Sequence, residues 1–163
     1  MKLRGVASLL AGVCLASCAT PPPAFAPASS RTGVVEWRRE GVDLHTRVVF
    51  QSASPDDRRL VVGAERPLLT LTRRGGEWFA AGAIAGRAWR GPENTAPAVL
   101  AGWISLVEAF DGASSVPSGE SDVRTGRFSV RYEKAGEELR AIELVTVATG
   151  DRFRVTFPPG PAR

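Results

Sequence analysis

The amino-acid sequence predicts a mainly β protein, a curved antiparallel sheet that is covered by a helix. Several short segments alternate apolar and polar residues with period two, as strands with one buried face do. Clusters of Gly, Pro, Ser and Asp separate these segments and are typical of tight turns. One longer run, residues 96–110, instead repeats its apolar residues every three or four positions, which indicates an amphipathic helix.

The alternation is clearest in the segment that begins at Val42. Val42, Leu44, Val48 and Phe50 share one predicted face, and the residues between them are mostly polar or charged. A turn-forming cluster at residues 52–57 ends this strand, and further breaks follow at a proline and at a pair of glycines. The strands predicted before the helix are residues 34–39, 42–51, 58–64, 68–73 and 77–84.

The helix predicted next has recognisable signals at both ends. Thr95 is the expected N-cap, Pro97 suits the first turn, and Asp111-Gly112 is expected to end the helix. Glu108 is the one ionised residue between positions 96 and 110, so we expect the helix to be buried on more than one side. Its apolar stripe comprises Val99, Leu100, Trp103, Leu106, Val107 and Phe110.

Strands resume after a polar loop predicted at residues 113–125. Residues 128–133 alternate, and residues 142–147 are expected to pair with residues 153–157 across the turn Thr149-Gly150-Asp151. The expected order is therefore about five strands, one helix and three strands. This order gives a single sheet whose apolar face the helix covers.

The first residues have the organisation of a secretory signal peptide. Lys2 and Arg4 precede an uncharged apolar run at residues 5–15, and small residues follow that run. A membrane-spanning helix needs about 20 apolar residues, so this shorter run is not expected to remain as a span. We therefore expect export of the chain and removal of residues 1–17.

The residues Leu15-Ala16-Ser17-Cys18 resemble the lipobox of bacterial lipoproteins, a Leu and two small residues before the cysteine that is lipidated. The resemblance implies cleavage before Cys18, acylation of Cys18 and loss of Cys14 with the signal. Two or more acyl chains anchor a protein stably, because each buried methylene contributes about 0.8 kcal/mol. Ala19 follows the cysteine, which in lipoproteins of diderm bacteria implies the outer membrane. The alternative is an ordinary secretory signal with a cysteine near its cleavage site.

The expected mature chain consists of an anchor with a tether, followed by a single domain. Residues 18–33 carry the lipidated cysteine and are rich in Pro, Ala and Ser, a composition that predicts a semi-rigid tether. Residues 34–159 form the predicted β-rich domain, which would face the periplasm. No cysteine remains in it for a disulfide, so its hydrophobic core must supply the stability.

The charge of the mature chain does not indicate a nucleic-acid partner. Removal of residues 1–17 takes away Lys2 and Arg4 and no acid, which lowers the formal charge from +4 to +2. The remaining cations are scattered along the chain, whereas a nucleic-acid interface clusters them on one face.

The sequence contains no pattern of residues typical of an enzyme, a metal site or a cofactor site. His45 is the single histidine, and it lies on the predicted polar face of a strand. The acid pairs Asp56-Asp57 and Glu137-Glu138 lie in predicted turns, where acidic residues are common, and neither has further ligands nearby in the sequence. We therefore predict a non-enzymatic protein without a cofactor or a metal ion.

Large apolar residues on the predicted inner face could line a pocket for an apolar ligand. An antiparallel sheet under one helix encloses either a filled core or such a pocket, and aromatic residues at these positions are more often core. Both alternatives stay open. The candidate pocket residues are Trp37, Trp78, Trp103, Val107 and Tyr132.

The chain also resembles the LolA/LolB family, the periplasmic carrier and the outer-membrane receptor of lipoproteins. The resemblance rests on Cys18, the size, the strands, the central segment APAVLAGWISLVEAF and the closing hairpin IELVTVATGDRFRVTF. It implies an unclosed β-barrel lidded by helices, with an acyl chain or lipid held between sheet and helix. It also implies a role in lipoprotein or lipid localisation.

Two classes of function follow from these observations. The first is an outer-membrane lipoprotein that binds a lipid or an acyl chain, which requires an apolar cavity. The second is a structural or adaptor lipoprotein that docks on another protein of the cell envelope, which requires a filled core and an exposed apolar patch.

Overall fold

The computed structural model describes residues 25–160. The predicted signal segment, the lipobox and Cys18 lie outside the described residues. Within residues 25–160, ten strands form one antiparallel sheet, and one α-helix packs on a single face of it. The strands are β1 Ser29–Arg39, β2 Val42–Ser54, β3 Asp57–Val62, β4 Leu69–Arg74, β5 Glu77–Ala81, β6 Trp89–Gly91, β7 Gly119–Arg124, β8 Phe128–Ala135, β9 Glu138–Thr146 and β10 Arg152–Thr156.

The strand order is β6-β5-β4-β3-β2-β1-β10-β9-β8-β7, so the sheet consists of two meanders. The meanders join at a central seam, where Val34–Arg38 of β1 pairs with Arg152–Thr156 of β10. The two edge strands, β6 and β7, do not pair with each other, which leaves the sheet unclosed. The predicted fold class, a mainly β protein with an unclosed sheet under a helix, is confirmed.

Strand β1 begins five residues before the position that the alternation predicts. Ser29–Gly33, which the composition assigns to the tether, pairs with residues Val48–Ser52 of β2. Gly33 lies so close to the end of β10 that a Cβ there would be 2.7 Å from the Thr156 carbonyl oxygen. The backbone pairing therefore orders a segment that has little apolar side chain to bury.

Strands β6 and β7 are not predicted by the sequence. Strand β6 has three residues, which is too short for an alternation to be visible. Strand β7 covers the segment GESDVR, which we expected to be a loop, and exposes most of its side chains on both faces. Charged residues on an edge strand prevent the strand from pairing with other chains. Because these residues are polar, the strand has no apolar alternation from which it could be predicted.

The helix α1, Ala98–Gly112, begins later than predicted. Its N-cap is Pro97, while Thr95 ends a short 3₁₀ helix and donates its hydroxyl to the Pro92 carbonyl oxygen at 2.9 Å. A residue that precedes proline is disfavoured in helical conformation, which separates Thr95 from α1. Every residue from Gly102 to Val107 is buried, so the prediction of burial on several sides is confirmed. Within residues 25–160, no helix has both the length and the apolar composition to cross a membrane.

The core lies between α1 and the inner face of the sheet, the face that α1 covers. Inner-face residues come from both meanders and include Val35 and Trp37 of β1, Leu60 of β3, Ile142 of β9 and Phe153 of β10. Most of these side chains are less than 5% exposed. Because burial of a Val, Leu, Ile or Phe side chain contributes about 1.5–3 kcal/mol, this layer is the main source of stability.

Candidate functional site

Trp37 and Trp103, two of the candidate pocket residues, lie in a closely packed aromatic cluster. Their ring centroids are 5.2 Å apart in an edge-to-face arrangement. Phe153 contacts both rings, at 4.9 Å from Trp103 and 6.1 Å from Trp37. Trp103 has no exposed surface, and these contacts fill the centre of the layer between α1 and the sheet.

Trp78 and Tyr132 are buried at other positions of the same layer. The Tyr132 hydroxyl donates a hydrogen bond of 2.8 Å to the Ala109 carbonyl oxygen in α1. Burial raises the pKa of Tyr132. Trp78 is 3% exposed and lies beneath the Arg73 guanidinium, which is 6.0 Å from the ring.

Val107 is the candidate pocket residue that borders a cavity between α1 and the sheet. This sheet–helix cavity has a volume of about 250 Å³. Trp37, Trp78, Trp103 and Tyr132 do not belong to its lining. The residues that line it are Ser29, Ser30, Arg31, Phe50, Gln51, Ser52, Arg58, Arg59, Val107, Phe110 and Asp111.

The apolar wall of the sheet–helix cavity is aromatic. Phe50 of β2 stacks on Phe110 of α1 with ring centroids 4.1 Å apart and planes 12° apart. Phe157, just after β10, packs behind both rings at 5.9 and 5.8 Å. Phe50 faces inward because it alternates with outward residues along β2, and Phe110 lies on the apolar stripe of α1.

Two of the three arginines that line the cavity, Arg31 and Arg58, already have partners. The Arg58 Nε donates to the Asp111 Oδ1 at 2.7 Å, which ties β3 to the last turn of α1. Arg31 donates to the Leu139 carbonyl oxygen, and its guanidinium lies 4.8 Å from the Phe157 ring centroid. Both cations are therefore engaged in the fold, and most of the accessible surface of the cavity is apolar, although many of the residues around it are polar.

A second opening, the hairpin cleft, lies at the opposite end of α1. It has a volume of about 590 Å³ and separates the first half of α1 from the turn between β9 and β10. Val147, which is 67% exposed, stands at this turn. The lining residues are Glu93, Asn94, Ala96, Ala101, Ser105, Gly126, Arg127, Thr146, Val147, Ala148 and Thr149.

Arg127 connects the two acidic residues beside the hairpin cleft. Its guanidinium forms ion pairs with Glu93 and with Glu108, the latter at 2.6 Å. The pKa of Glu108 is raised, mainly because the carboxyl group is partly buried. The nearby Arg73 charge opposes this shift, and the Asp111 charge adds to it. Arg127 therefore pairs with both carboxylates, and we assign a structural role to these three residues.

Asp151 is a fully buried carboxylate that organises the turn beside the hairpin cleft. Its Oδ2 accepts a hydrogen bond of 2.8 Å from the Thr149 hydroxyl, and its backbone N–H donates to Thr146 Oγ1 at 3.0 Å. The Arg39 Nε is 3.5 Å from Asp151 Oδ1. In the part of the chain that the structure describes, no group of three His, Cys, Asp or Glu side chains could hold a metal ion.

Sequence reasoning missed the composition of the sheet–helix cavity, although part of the signal was present. Phe50 ends the predicted alternation of its strand, and Phe110 ends the predicted helix stripe. Both lie near the ends of their elements, but the sequence does not show that these ends meet. The composition assigns Arg31 to the tether, so the sequence gives no indication of its position at the rim.

Comparison with known protein families and with curated protein sequences finds no match to this chain.

Proposed function

We propose that this protein is an outer-membrane lipoprotein, anchored through acylated Cys18, whose periplasmic domain binds an acyl chain in the sheet–helix cavity. The role would be a LolB-like one in lipid or lipoprotein localisation, without enzymatic chemistry. The observation that carries the proposal is the aromatic wall of the cavity, formed by Phe50 and Phe110 and bordered by Val107.

The size and chemistry of the cavity support a single chain as the ligand. Its volume of about 250 Å³ is below the range of about 300–1,000 Å³ that is typical of sites for whole small molecules. Arg31 and Arg58 are already paired, and the accessible surface that the cavity offers to a ligand is mainly apolar. Part of one acyl chain fits these properties better than a complete lipid with its head group.

The proposal is restricted to binding and does not include transfer between proteins. LolB-like proteins use an apolar residue on an exposed loop between early strands for transfer. The corresponding turn between β2 and β3 exposes Ser54, Pro55 and Asp56 and carries no large apolar side chain. The turn between β2 and β3 therefore lacks the group with which that family delivers its cargo.

The packing of the core supports the second candidate function, a structural or adaptor lipoprotein of the cell envelope. Trp37, Trp103 and Phe153 fill the centre of the layer between sheet and helix, so the cavity is confined to one end. Such a protein would use its outer surface rather than its interior, and it would hold no lipid.

Native mass spectrometry distinguishes the two functions. Residues 18–163 with Cys18→Ser would be purified without a lipid anchor and compared under native and denaturing conditions. An acyl-chain adduct that is lost on denaturation is expected for the binding protein. A protein that has no adduct, even after incubation with phospholipid and an acylated peptide, would contradict the proposal and support the adaptor.

A pair of matched substitutions tests whether the adduct occupies the sheet–helix cavity. Val107→Phe adds volume inside the cavity and is expected to abolish the adduct, because the new ring takes the place of the chain. Val145→Phe makes the same change on the outer face of β9, where Val145 is 41% exposed, and should leave the adduct intact. An adduct that survives Val107→Phe in a folded protein would place the ligand elsewhere.

A further inference from the structure

The N-terminal segment of the domain leaves the sheet beside the turn between β2 and β3. The Ala28 backbone N–H donates to the Ser52 carbonyl oxygen at 2.8 Å, so the segment follows the last residues of β2. Three residues earlier, the Phe25 ring lies over the Arg59 guanidinium, and the Arg59 Cζ is 4.3 Å from the centroid of the ring. These two contacts attach the start of the domain to one end of the sheet.

Arg59 borders the sheet–helix cavity, but its side chain points to the outer face of the sheet, opposite the face that α1 covers, and holds Phe25 there. Arg59 precedes Leu60, which is fully buried in the core, and successive strand residues point to opposite faces. Its Nε is buried and has no hydrogen-bond partner within residues 25–160, and no carboxylate there lies within ion-pair distance. Partial burial, and to a lesser extent the Arg74 charge, lower the pKa of Arg59. A cation partly removed from water gains more from an aromatic ring than an exposed cation does.

The chain between the proposed anchor and this contact is short. Phe25 is seven residues after Cys18, and an extended chain covers at most about 3.6 Å per residue, or roughly 25 Å in total. Strand β1 runs from Ser29 to Arg39 and is itself roughly 33 Å long at about 3.3 Å per residue. The start of β1 is therefore held close to the anchor, whereas its far end, at the turn of Glu40 and Gly41, is not.

The end of the sheet that lies near the anchor, here called the proximal end, has little net charge to oppose a lipid surface. It contains the turns between β2 and β3 and between β4 and β5, together with the last turn of α1. Arg74 pairs with Asp57 at 3.4 Å and Arg58 pairs with Asp111 at 2.7 Å, whereas neither Arg59 nor Arg73 forms an ion pair with a carboxylate of the described residues. The sheet–helix cavity, lined by Ser29 and Asp111, lies at this same end.

We propose that the proximal end is a docking surface for the lipid bilayer, and that Phe25 fixes this orientation by packing on Arg59. The orientation places the sheet–helix cavity next to the membrane, where an acyl chain can enter it from the lipid. The inference rests on the proposed anchor at Cys18, and it adds which surface of the domain meets the membrane.

Energy transfer to labelled lipid tests this orientation in the full chain. The protein would be expressed with its signal, extracted, and reconstituted in phosphatidylethanolamine and phosphatidylglycerol vesicles that contain a head-group acceptor dye. A donor dye would be attached through Asp56→Cys at the proximal end or through Glu40→Cys at the far end. Both replaced residues are exposed acids, so the two variants are chemically matched. We expect higher transfer efficiency from position 56 than from position 40.

Substitution of Phe25 provides the second part of the test. Phe25→Ala should reduce the difference between the two positions, because the tether then has more freedom. Phe79→Ala removes a comparable ring, over which Arg90 lies at 4.8 Å, and should leave the difference unchanged. Equal or reversed transfer from vesicle-bound protein would overturn the orientation, and an unchanged difference in Phe25→Ala would overturn the role of Phe25. Protein that does not bind vesicles at all would instead refute the anchor.

Discussion

At the scale of single residues, Trp103 is the side chain that most directly distinguishes a filled core from a pocket. It has no exposed surface and contacts both Trp37 and Phe153. Replacement of a buried Trp by Ala removes its transfer free energy and leaves a cavity, which together cost about 3–5 kcal/mol. We expect Trp103→Ala to lower the free energy of unfolding by this amount, measured by urea denaturation.

Trp89→Ala is the matched control for this prediction. Trp89 lies on the edge strand β6 and is only partly buried, so the same chemical change should cost clearly less. If Trp103→Ala were no more destabilising than Trp89→Ala, the centre of the layer would not be filled as the aromatic contacts indicate.

The sequence predicted which residues face the core more reliably than it predicted buried polar residues. Trp37, Phe50 and Phe153 follow a simple alternation, so their burial could be inferred from their neighbours. The sequence predicts a turn at Asp151, yet its carboxylate is completely buried, where the neighbouring Thr149 hydroxyl and the distant Arg39 contact it. The contact with Arg39 joins residues that are far apart in the sequence, and such a contact leaves no local pattern.

At the scale of elements, the helix α1 is held by a close approach to the sheet at Gly102. A Cβ at this position would lie 2.8 Å from Phe153 Cε2 and 3.0 Å from Asp151 Oδ2. Gly→Ala normally stabilises a helix by up to about 1 kcal/mol, but overpacking a core costs about 1–3 kcal/mol. We therefore expect Gly102→Ala to lower the melting temperature in a calorimetric scan.

Gly112→Ala in the same helix is the control for this effect. A Cβ there would meet only the Tyr132 Oη at 3.4 Å, which is an ordinary contact, and the residue has a helical φ of −67°. Its melting temperature should equal or exceed that of the unaltered protein. A stabilising Gly102→Ala would show that α1 can move away from the sheet at this position.

The elements that the sequence predicted well are those that bury an apolar face. Strand β2 and helix α1 each carry a regular apolar pattern, and the structure places both close to the predicted positions. Strand β7 and the first residues of β1 are held by backbone pairing with β8 and β2, and their side chains are mainly polar. Backbone hydrogen bonds do not depend on side-chain type, so such strands form without a periodic apolar pattern and cannot be predicted from one.

At the scale of the whole molecule, the central seam joins strands from opposite ends of the chain. Strand β1 pairs with β10, and every other neighbouring pair in the sheet is consecutive in sequence. The seam therefore contains the contacts with the largest sequence separation, and such contacts slow folding because a long loop must close first.

A circular permutant of residues 25–160 would remove this long-range pairing. Residues 160 and 25 would be joined by a Gly-Ser linker. A short linker is sufficient because β10 ends and β1 begins at the same end of the sheet. New termini between Pro117 and Ser118, both exposed, would make all ten strands consecutive neighbours. We expect faster refolding in stopped-flow Trp fluorescence, with little change in equilibrium stability.

A second permutant, with the same linker but opened between Gly75 and Gly76, separates the effect of the seam from that of the linker. Both glycines are exposed, so the cut itself should be tolerated. This permutant makes β4 and β5 the terminal strands, and their pairing then becomes the long-range one. It should therefore refold more slowly than the permutant opened at residue 117. Equal rates for the two permutants would mean that closing the seam does not limit folding, and that the rate is set by an event within one of the two meanders.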